Sequence, residues 1–271
     1  MSNYWKDKIV LITGGSAGFG LELAKSLGRK GCYVAIAARN YERLESAAQQ
    51  LRELNIRVTT FVTDVTDQNQ VAGLADSIRD DFGRLDVLVN AAGKSTRGLA
   101  ATTPPEKFEE LWRINFLATV HCSQTFLPML KETRGHLVNI GSLASKVGSI
   151  NLGAYPASKF PVAAFCQQLR LEMQEPAAHV LLVCPGPIER NDAGSRYSAE
   201  TDGDDLPDSA KKPGGGANIR QIPSETLATA IMNACEKRQP ELVLPAKAKI
   251  LFAIQQISPR LGDWLLRRKM Q

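Results

Sequence analysis

The hydrophobic positions in the first two-thirds of the chain form short, unbroken apolar runs separated by longer amphipathic stretches. Short runs rich in β-branched residues are typical of strands that are covered on both faces. Six runs are interpreted as such strands: residues 8–13, 32–38, 57–63, 86–90, 136–141 and 179–184. A shorter run at 241–245 is a candidate for the last strand.

The stretches between these runs repeat apolar residues at the spacing of a helix. The pattern predicts helices near 18–29, 41–54, 67–82, 105–131 and 155–174. Regular alternation of strand and helix leads to right-handed crossovers and a parallel sheet. The sequence therefore predicts an α/β fold in a single domain: a Rossmann-type doubly wound parallel sheet of about seven strands, with helices on both faces.

Two regions depart from this alternation. Residues 190–222 have little apolar content and nearly balanced charges, which predicts a polar loop inserted in a domain spanning 1–246. Residues 247–271 repeat apolar residues at spacings of three and four. Within this segment Ser258 and Pro259 resemble a helix cap and a first-turn proline, so we expect a C-terminal tail of two short amphipathic helices.

Composition and charge narrow the classes of function. No apolar run is long enough for a membrane span or a secretory signal, and the five cysteines lack paired spacing, so we expect a cytoplasmic protein with reduced thiols. The formal net charge of +5 comes from residues 247–271, which leaves a nearly neutral body and disfavours nucleic-acid binding. His121, His136 and His179 lack metal-like spacing, so no metal site is expected.

A glycine-rich segment, "TGGSAGFG" (13–20), follows the first strand and precedes a predicted helix. Glycines allow the backbone to approach a diphosphate, and the helix N-terminus offers N–H donors. The spacing T-G-x-x-x-G-x-G differs from the dinucleotide fingerprint G-x-G-x-x-G and resembles the short-chain dehydrogenase/reductase family. The expected cofactor contacts in this segment are Gly14, Ser16, Gly18, Phe19 and Gly20.

The end of the second strand bears on which dinucleotide binds. In sheets that prefer NAD an acid at this position accepts hydrogen bonds from the ribose 2′-hydroxyl. Here Ala38 occupies the position and Arg39 follows, and a guanidinium can hold a 2′-phosphate through two hydrogen bonds. We therefore expect NADP(H) as the cofactor, with Arg39 as the main determinant and Ser16 and Asn40 as lesser contacts.

Three later segments extend the resemblance: "TDV" (63–65), "NAAG" (90–93) and "PGPI" (185–188). In the family these segments meet the adenine ring, support the cofactor and central sheet, and pack beneath the nicotinamide. The resemblance implies cofactor contacts at Asp64, Val65, Asn90, Ala91, Gly93, Pro185, Gly186 and Ile188. Arg190 departs from the pattern because a threonine is common there; it could instead reach a phosphate or an acidic substrate.

Four further positions match the catalytic residues of the family. In "YPASK" (155–159) Tyr155 precedes Lys159 by one helical turn, and Ser142 ends a strand thirteen residues before Tyr155. Asn115 lies in "RINF" (113–116). The resemblance implies that Asn115, Ser142, Tyr155 and Lys159 are catalytic, and that Tyr155 and Lys159 also contact the cofactor.

The chemistry of ketone reduction explains these residue types. A proton must reach the carbonyl oxygen, and the phenol of tyrosine has a pKa of about 10, too high for efficient exchange near neutral pH. A lysine ammonium about 4 Å away favours the phenolate by roughly 4 kcal/mol, or about three pKa units, before desolvation takes some of this back. Ser142 is expected to orient the substrate oxygen, Lys159 to bond the nicotinamide ribose, and Asn115 to hold a relay water.

These observations predict an NADPH-dependent carbonyl reductase, or a secondary-alcohol dehydrogenase in the reverse direction. The expected substrate is a hydrophobic steroid- or lipid-like ketone, because "ARNYERL" (38–44) resembles reductases of that kind. The alternatives are a reductase of a sugar or acyl-thioester ketone and an NADP-sensing protein without turnover. The resemblance implies a homodimer or homotetramer. The tail could contact a membrane surface, or it could pack on the sheet or a neighbouring subunit.

Overall fold

Seven parallel strands form one sheet at the centre of the computed structural model, which describes residues 4–173, 178–189, 206, 210, 213–216 and 219–270. Arg190 and most of the expected loop at 190–222 lie outside the described residues. The strands are β1 (Ile9–Thr13), β2 (Tyr33–Ala38), β3 (Val58–Val62), β4 (Val87–Asn90), β5 (His136–Ile140), β6 (His179–Pro185) and β7 (Glu241–Leu244). Their order is β3-β2-β1-β4-β5-β6-β7, which confirms the predicted Rossmann-type sheet.

The sheet reverses its strand order at β1, which pairs with β2 on one side and with β4 on the other. Ligands of such sheets bind in the crevice outside the carboxyl ends of the strands at this point. The central strands are buried, as their unbroken apolar runs predict. The expectation that 57–63 is covered on both faces is wrong, because β3 is an edge strand and Val62 is 58% exposed.

The helices flank both faces of the sheet. Their bounds are α1 (Gly18–Arg29), α2 (Tyr41–Glu53), α3 (Gln68–Phe82), α4 (Pro105–Trp112), α5 (Ala118–Glu132), α6 (Tyr155–Glu172), α7 (Ser224–Glu236), α8 (Ala248–Ile257) and α9 (Pro259–Met270). The predicted helix at 105–131 is interrupted by a π-helical turn, Arg113–Leu117, which separates α4 from α5. Helix α7 was not predicted, although Leu227 and Ile231 are four residues apart and lie on its buried face.

The C-terminal tail forms the two helices that its pattern predicts. The hydroxyl oxygen of Ser258 accepts a hydrogen bond from the backbone N–H of Leu261 at 3.4 Å, and Pro259 is the first residue of α9. Gly262 packs directly against Gln255, so α8 and α9 lie close together. Phe252 packs against the core of the sheet. Among the described residues, no helix is both long enough and apolar enough to cross a bilayer.

Two buried histidines connect β5 and β6 at the amino ends of these strands, which is the end of the sheet away from the crevice. His136 Nδ1 lies 2.8 Å from His179 Nδ1, His136 Nε2 lies 2.6 Å from the Tyr4 hydroxyl, and His179 Nε2 lies 2.7 Å from the carbonyl oxygen of Gln239. A carbonyl can only accept, so His179 Nε2 carries a proton and its Nδ1 accepts from His136. The neutral His136 then accepts at Nε2 from Tyr4, and each ring nitrogen is paired.

Cys235 lies beside this pair, and the possible ligand atoms of His136, His179 and Cys235 are within 4.8 Å of one another. The two Nδ1 atoms already share a hydrogen bond, which assigns them to a core network. Burial lowers the pKa of His136 to about 3 and that of His179 to about 4, with like-charge repulsion between the rings adding to the effect at His136. Both rings are therefore neutral in the folded protein near neutral pH.

We predict that the free energy of unfolding falls as the pH drops below about 6.5, where the histidines of the unfolded chain take up protons but the buried rings do not. Each of the two rings should contribute a slope approaching about 1.4 kcal/mol per pH unit between their unfolded and folded pKa values. Urea unfolding between pH 7 and pH 5 measures this slope. His179→Gln should reduce the slope, whereas Tyr4→Phe, which keeps both histidines, should lower stability without changing it; equal slopes in His179→Gln and the parent protein would contradict the assignment.

Candidate functional site

The glycine-rich segment forms a tight turn between β1 and α1. Gly14 and Gly18 have positive φ angles of 69° and 53°. A Cβ on Gly14 would lie 2.9 Å from Cα of Ala92, and one on Gly20 would collide with the carbonyl oxygen of Gly14. The cap residue of α1 is Ala17, whose side chain has no acceptor, so the first N–H groups of the helix are available to an anion. The turn therefore has the close backbone approach and the donors that a diphosphate requires.

The segment after β4 is tied to this turn. The hydroxyl oxygen of Thr13 accepts hydrogen bonds from the backbone N–H groups of Ala91 and Ala92 at 3.2 and 3.3 Å. The side-chain amide of Asn90 donates to Asn139 Oδ1 at 2.8 Å and to Ser123 Oγ at 3.1 Å. Asn90 thus links β4 to β5 and α5 through hydrogen bonds. These bonds correspond to the expected role of Asn90 in supporting the sheet.

The predicted ribose end lies where β2 and β3 finish. Arg39 directly follows β2, its side chain is 67% exposed, and its guanidinium lies 3.7 Å from Asp64 Oδ2. The other oxygen of Asp64 accepts from the N–H and hydroxyl of Thr66 at 2.9 and 2.7 Å. Asn40 Oδ1 caps α2 by accepting from the N–H of Arg43 at 2.7 Å. Arg39 is therefore the exposed cation at this end, while Asn40 retains only its amide donors for a ligand.

Val65, which follows Asp64, is 5% exposed and packs in the core beneath the sheet. A side chain in that position cannot reach a ligand at the surface without leaving the core. A cofactor contact at Val65, as the resemblance implies it, is therefore restricted to backbone atoms.

Tyr155 and Lys159 lie in the first turn and a half of α6, beside the carboxyl end of β5. Lys159 is 5% exposed, and its Nζ donates a hydrogen bond to the carbonyl oxygen of Ile140 at 2.9 Å. Burial lowers the pKa of Lys159 from its ordinary 10.5 to about 8, because the desolvated ammonium is costly. The amine is therefore still mostly charged at neutral pH, within one turn of the Tyr155 phenol.

Ser142 follows β5 and begins a short 3₁₀ turn, Leu143–Ser145. Its hydroxyl oxygen accepts from the N–H of Ala144 at 3.1 Å, and its own N–H donates to the hydroxyl of Ser145 at 3.1 Å. Because the capping bond uses Oγ only as an acceptor, the hydroxyl proton of Ser142 can still be donated to another oxygen.

Asn115 sits in the π-helical turn and is fully buried. Its amide donates to the carbonyl of Lys94 at 2.8 Å and to Ser158 Oγ at 2.9 Å, and its Oδ1 accepts from the N–H of Lys94 at 2.9 Å. The side chain therefore joins the segment after β4 to the residue preceding Lys159. The backbone carbonyl of Asn115 accepts from the hydroxyl of Thr119 at 3.2 Å. A relay water held by Asn115 stays a prediction.

The absence of a side chain at Gly93 lets two of these residues pack close to its backbone. A Cβ at this position would lie 2.8 Å from Asn115 Oδ1 and 3.5 Å from Lys159 Nζ. Contacts of 2.8 Å are too short for a carbon atom, so a larger residue would displace Asn115 or fill the floor of the crevice. Gly93 therefore lets Asn115 and Lys159 lie close to the segment after β4, at the expected nicotinamide end of the cleft.

The segment after β6 forms the opposite wall. Gly186 N–H donates to the carbonyl of Leu244 at 2.7 Å. Ile188 forms an isolated parallel bridge with Ile222, whose two hydrogen bonds use the carbonyl of Pro187 and the N–H of Glu189. In a parallel bridge the backbone groups of the central residue point to the other side. The N–H and C=O of Ile188 are therefore directed away from Ile222, as an amide-binding role requires.

One cleft of about 870 Å³ brings together nine of the predicted residues: Phe19, Ala91, Gly93, Ser142, Tyr155, Lys159, Pro185, Gly186 and Ile188. Asn115 lies behind its wall. Eight of the remaining predicted contacts lie outside this lining, towards the proposed phosphate and adenine ends: Gly14, Ser16, Gly18, Gly20, Arg39, Asn40, Asp64 and Val65. Asn90 is also outside it, buried in the central sheet. The cleft thus contains three of the four candidate catalytic residues together with the cofactor contacts expected near the nicotinamide.

The cleft also contains residues that the sequence reasoning missed. Arg97 is 2% exposed and donates to the carbonyl oxygens of Ala210 and Thr96, each at 2.9 Å. No periodic pattern marks Arg97, because it lies in an irregular loop. Phe252 and Leu266 of the tail helices also line the cleft. The spacing of apolar residues in the tail indicated that each helix has an apolar face. It did not indicate that this face lines the cleft.

Comparisons with known proteins agree with this architecture. The model of the family described as short chain dehydrogenase matches residues 8–201. The dehydrogenase/reductase SDR family protein 7-like of Anopheles gambiae is 31% identical over 277 aligned residues, which cover 100% of this chain and 85% of that protein. An actinorhodin polyketide ketoreductase solved with NADPH is 27% identical with a TM-score of 0.76, over 88% of this chain and 95% of that one. A short chain dehydrogenase/reductase from Burkholderia phymatum solved with NAD is 21% identical with a TM-score of 0.83, over 96% of each chain.

The geometry of the glycine turn predicts opposite effects for two helical glycines. Gly73 in α3 has open space around its Cα, so Gly73→Ala should raise the free energy of unfolding by about 0.5–1 kcal/mol through helix propensity. Gly20→Ala should instead lower it by about 1–3 kcal/mol, because the added methyl collides with the carbonyl of Gly14. Urea denaturation of both variants measures the difference. A Gly20→Ala protein as stable as Gly73→Ala would contradict the close approach of the turn to α1.

Proposed function

The chain belongs to the short chain dehydrogenase family, and we propose that it reduces a ketone to a secondary alcohol, or catalyses the reverse oxidation, with NADP(H) as cofactor. The observation that carries this proposal is that Ser142, Tyr155 and Lys159 line one cleft together with Gly93. A proton donor, a charge that tunes it and a donor for the substrate oxygen are thereby present at one place.

The residues of the crevice fit a nicotinamide dinucleotide. The diphosphate would be held by the turn at Gly14–Gly20 and the N-terminus of α1, and the nicotinamide end by Gly93, Ile188 and Lys159. When bound, the cofactor supplies or accepts the hydride. The related structures contain either NAD or NADPH, so preference rests on the chain's own residues. Ala38 stands where NAD-preferring sheets have an acid, and the exposed Arg39 directly after β2 supports NADP(H).

Tyr155 is the proposed general acid in reduction and the general base in oxidation. The buried ammonium of Lys159 favours the phenolate form of Tyr155, and below a pH of about 8 it keeps its charge. Ser142 donates its free hydroxyl proton to the substrate oxygen and so fixes its position. Asn115 acts indirectly on the position of Lys159. Its side-chain amide donates to the hydroxyl of Ser158, the residue before Lys159, and to the backbone carbonyl of Lys94.

A hydrophobic ketone is the substrate class that we propose. Apolar side chains from four separate parts of the chain line the cleft around the candidate catalytic residues, among them Val147, Leu152, Ile219, Phe252 and Leu266. An acyl-thioester ketone is the second candidate, because the polyketide ketoreductase with NADPH is 27% identical over most of the chain. A sensor without turnover is disfavoured by the presence of all four candidate catalytic residues.

Assembly into a homodimer or homotetramer is part of the proposal. Trp112 at the end of α4 and Phe160 and Leu171 on α6 are large apolar side chains with exposed fractions of 41%, 42% and 79%. These helices lie in the two segments, 105–131 and 155–174, that the family resemblance implies as subunit interfaces. Exposed apolar side chains of this size favour burial against another surface, which supports an interface between copies at this face.

We predict that Tyr155→Phe lowers the turnover of a small diketone with NADPH about 10²- to 10⁴-fold, because the substrate oxygen loses its proton donor. The measurement is the decay of the nicotinamide absorbance, with NADPH affinity determined separately by calorimetry. Affinity should be retained, and Tyr33→Phe, a change in β2, should leave turnover unaltered. Tight NADPH binding by the parent protein without turnover of any ketone would favour the sensor instead.

We also predict that Arg39→Ala lowers kcat/KM for NADPH by about ten- to a hundredfold, since the 2′-phosphate loses a charged partner, while kcat/KM for NADH is unchanged. Arg52→Ala, an exposed arginine at the other end of α2, is the matched control and should change neither value. An unaltered preference for NADPH in Arg39→Ala would remove Arg39 as the determinant.

A further inference from the structure

The two tail helices present large apolar side chains to the exterior. On α8, Ile250 and Ile257 are seven residues apart, so they share a face, and their exposed fractions are 66% and 84%. On α9, Leu261 and Trp264 are three residues apart, with exposed fractions of 48% and 53%. Exposed apolar residues that recur along both helices of one hairpin form a surface, which we call the tail surface, that water covers poorly.

Basic side chains share the same part of α9. Arg260, Arg267 and Arg268 lie within about a third of a turn of Leu261 and Trp264 on a helix of 3.6 residues per turn. The Arg268 guanidinium is 5.6 Å from the centre of the Trp264 ring. Residues 247–271 contain six basic residues and one acidic residue, and they account for the whole net charge of +5. The tail surface is therefore both apolar and cationic.

The opposite faces of the same helices belong to the cleft. Leu251 and Phe252 of α8 and Leu266 of α9 line it, as does Arg268, which connects the cleft wall to the tail surface. The helices are held there by contacts of Ala248 and Phe252 with the core. The lining of the proposed active-site cleft thus reaches the tail surface at Arg268.

We propose that the tail surface docks on an anionic phospholipid membrane. Tryptophan, aliphatic residues and arginines on one helix face match the chemistry of that interface, where apolar groups enter the acyl boundary and cations meet phosphates. A second copy of the chain is a poorer occupant. A symmetric dimer would place this surface against itself and bring two segments of net charge +5 together, while the rest of the chain is nearly neutral.

Membrane docking also bears on the substrate, and this part rests on the proposed function. A cleft that opens beside a lipid surface, and whose apolar wall continues into the docking helices, can receive a ketone carried by a long-chain lipid directly from the bilayer. The tail surface would then select substrates by where they reside, and the cleft by their shape.

Flotation of the full-length protein with vesicles tests the docking directly. The protein should float with vesicles of phosphatidylcholine and phosphatidylglycerol, should bind vesicles of phosphatidylcholine alone more weakly, and should dissociate as salt is raised. Arg260→Gln combined with Arg267→Gln should weaken binding to the anionic vesicles about 25-fold, at roughly fivefold for each cation. The control pair Arg29→Gln and Lys30→Gln, exposed at the end of α1, should leave binding unchanged.

Two further variants test the apolar part. Ile257→Gln and Trp264→Gln should each reduce flotation, whereas Leu54→Gln, an exposed leucine after α2, should not. Light scattering of the same proteins measures the oligomeric state. Failure of the parent protein to float, equal flotation of all variants, or dissociation of an oligomer by Ile257→Gln would each overturn the proposal, the last by assigning the tail surface to a contact between copies.

The turnover of a small soluble diketone separates this proposal from the proposed function. None of these exposed variants should change that turnover, because the diketone reaches the cleft from water. Loss of flotation with unchanged turnover supports docking as a separate property. Flotation without any turnover would leave docking standing and count against the reductase.

Discussion

The ammonium of Lys159 is buried beside the end of β5, where it donates a hydrogen bond to the carbonyl of Ile140. A desolvated charge of this kind is costly, and its position has to be held by the surrounding structure. Ser158, its neighbour, bonds Asn115, which in turn binds both backbone groups of Lys94. The cleft floor, the π-helical turn and the start of α6 are thereby linked around one amine.

In the proposed function, one end of the crevice carries out the proton transfer and the other end recognises the cofactor phosphate. At the carboxyl end of β5, Lys159 is buried and Ser142 and Tyr155 are partly buried along the same cleft, which suits moving a proton. At the ends of β2 and β3 they are exposed and charged, as suits recognition of a phosphate. The tail helices close the other side of the cleft with apolar side chains, so polar chemistry takes place against a hydrophobic wall.

Much of the sheet could be predicted from the sequence, because buried parallel strands are unbroken apolar runs with little ambiguity. The π-helical turn at Arg113–Leu117 could not, since its apolar spacing differs little from that of the helices on either side. The place of α7 was missed because it follows an irregular polar region. Motif spacing singled out Ser142, Tyr155 and Lys159 as candidates. It contains no information on the buried position of Arg97 or on the packing of Phe252 against the core, because both depend on tertiary structure.

The charge state of Lys159 shows whether its amine is enclosed by the surrounding residues. Titration of ¹⁵N-labelled lysine side chains by NMR, with Lys159→Met to assign the resonance, measures the pKa of this amine in the folded protein. Burial predicts a midpoint near 8, well below the ordinary 10.5. A midpoint at the ordinary value would contradict the account, because it would show that the amine is solvated and not enclosed in the wall that carries the proposed catalytic residues.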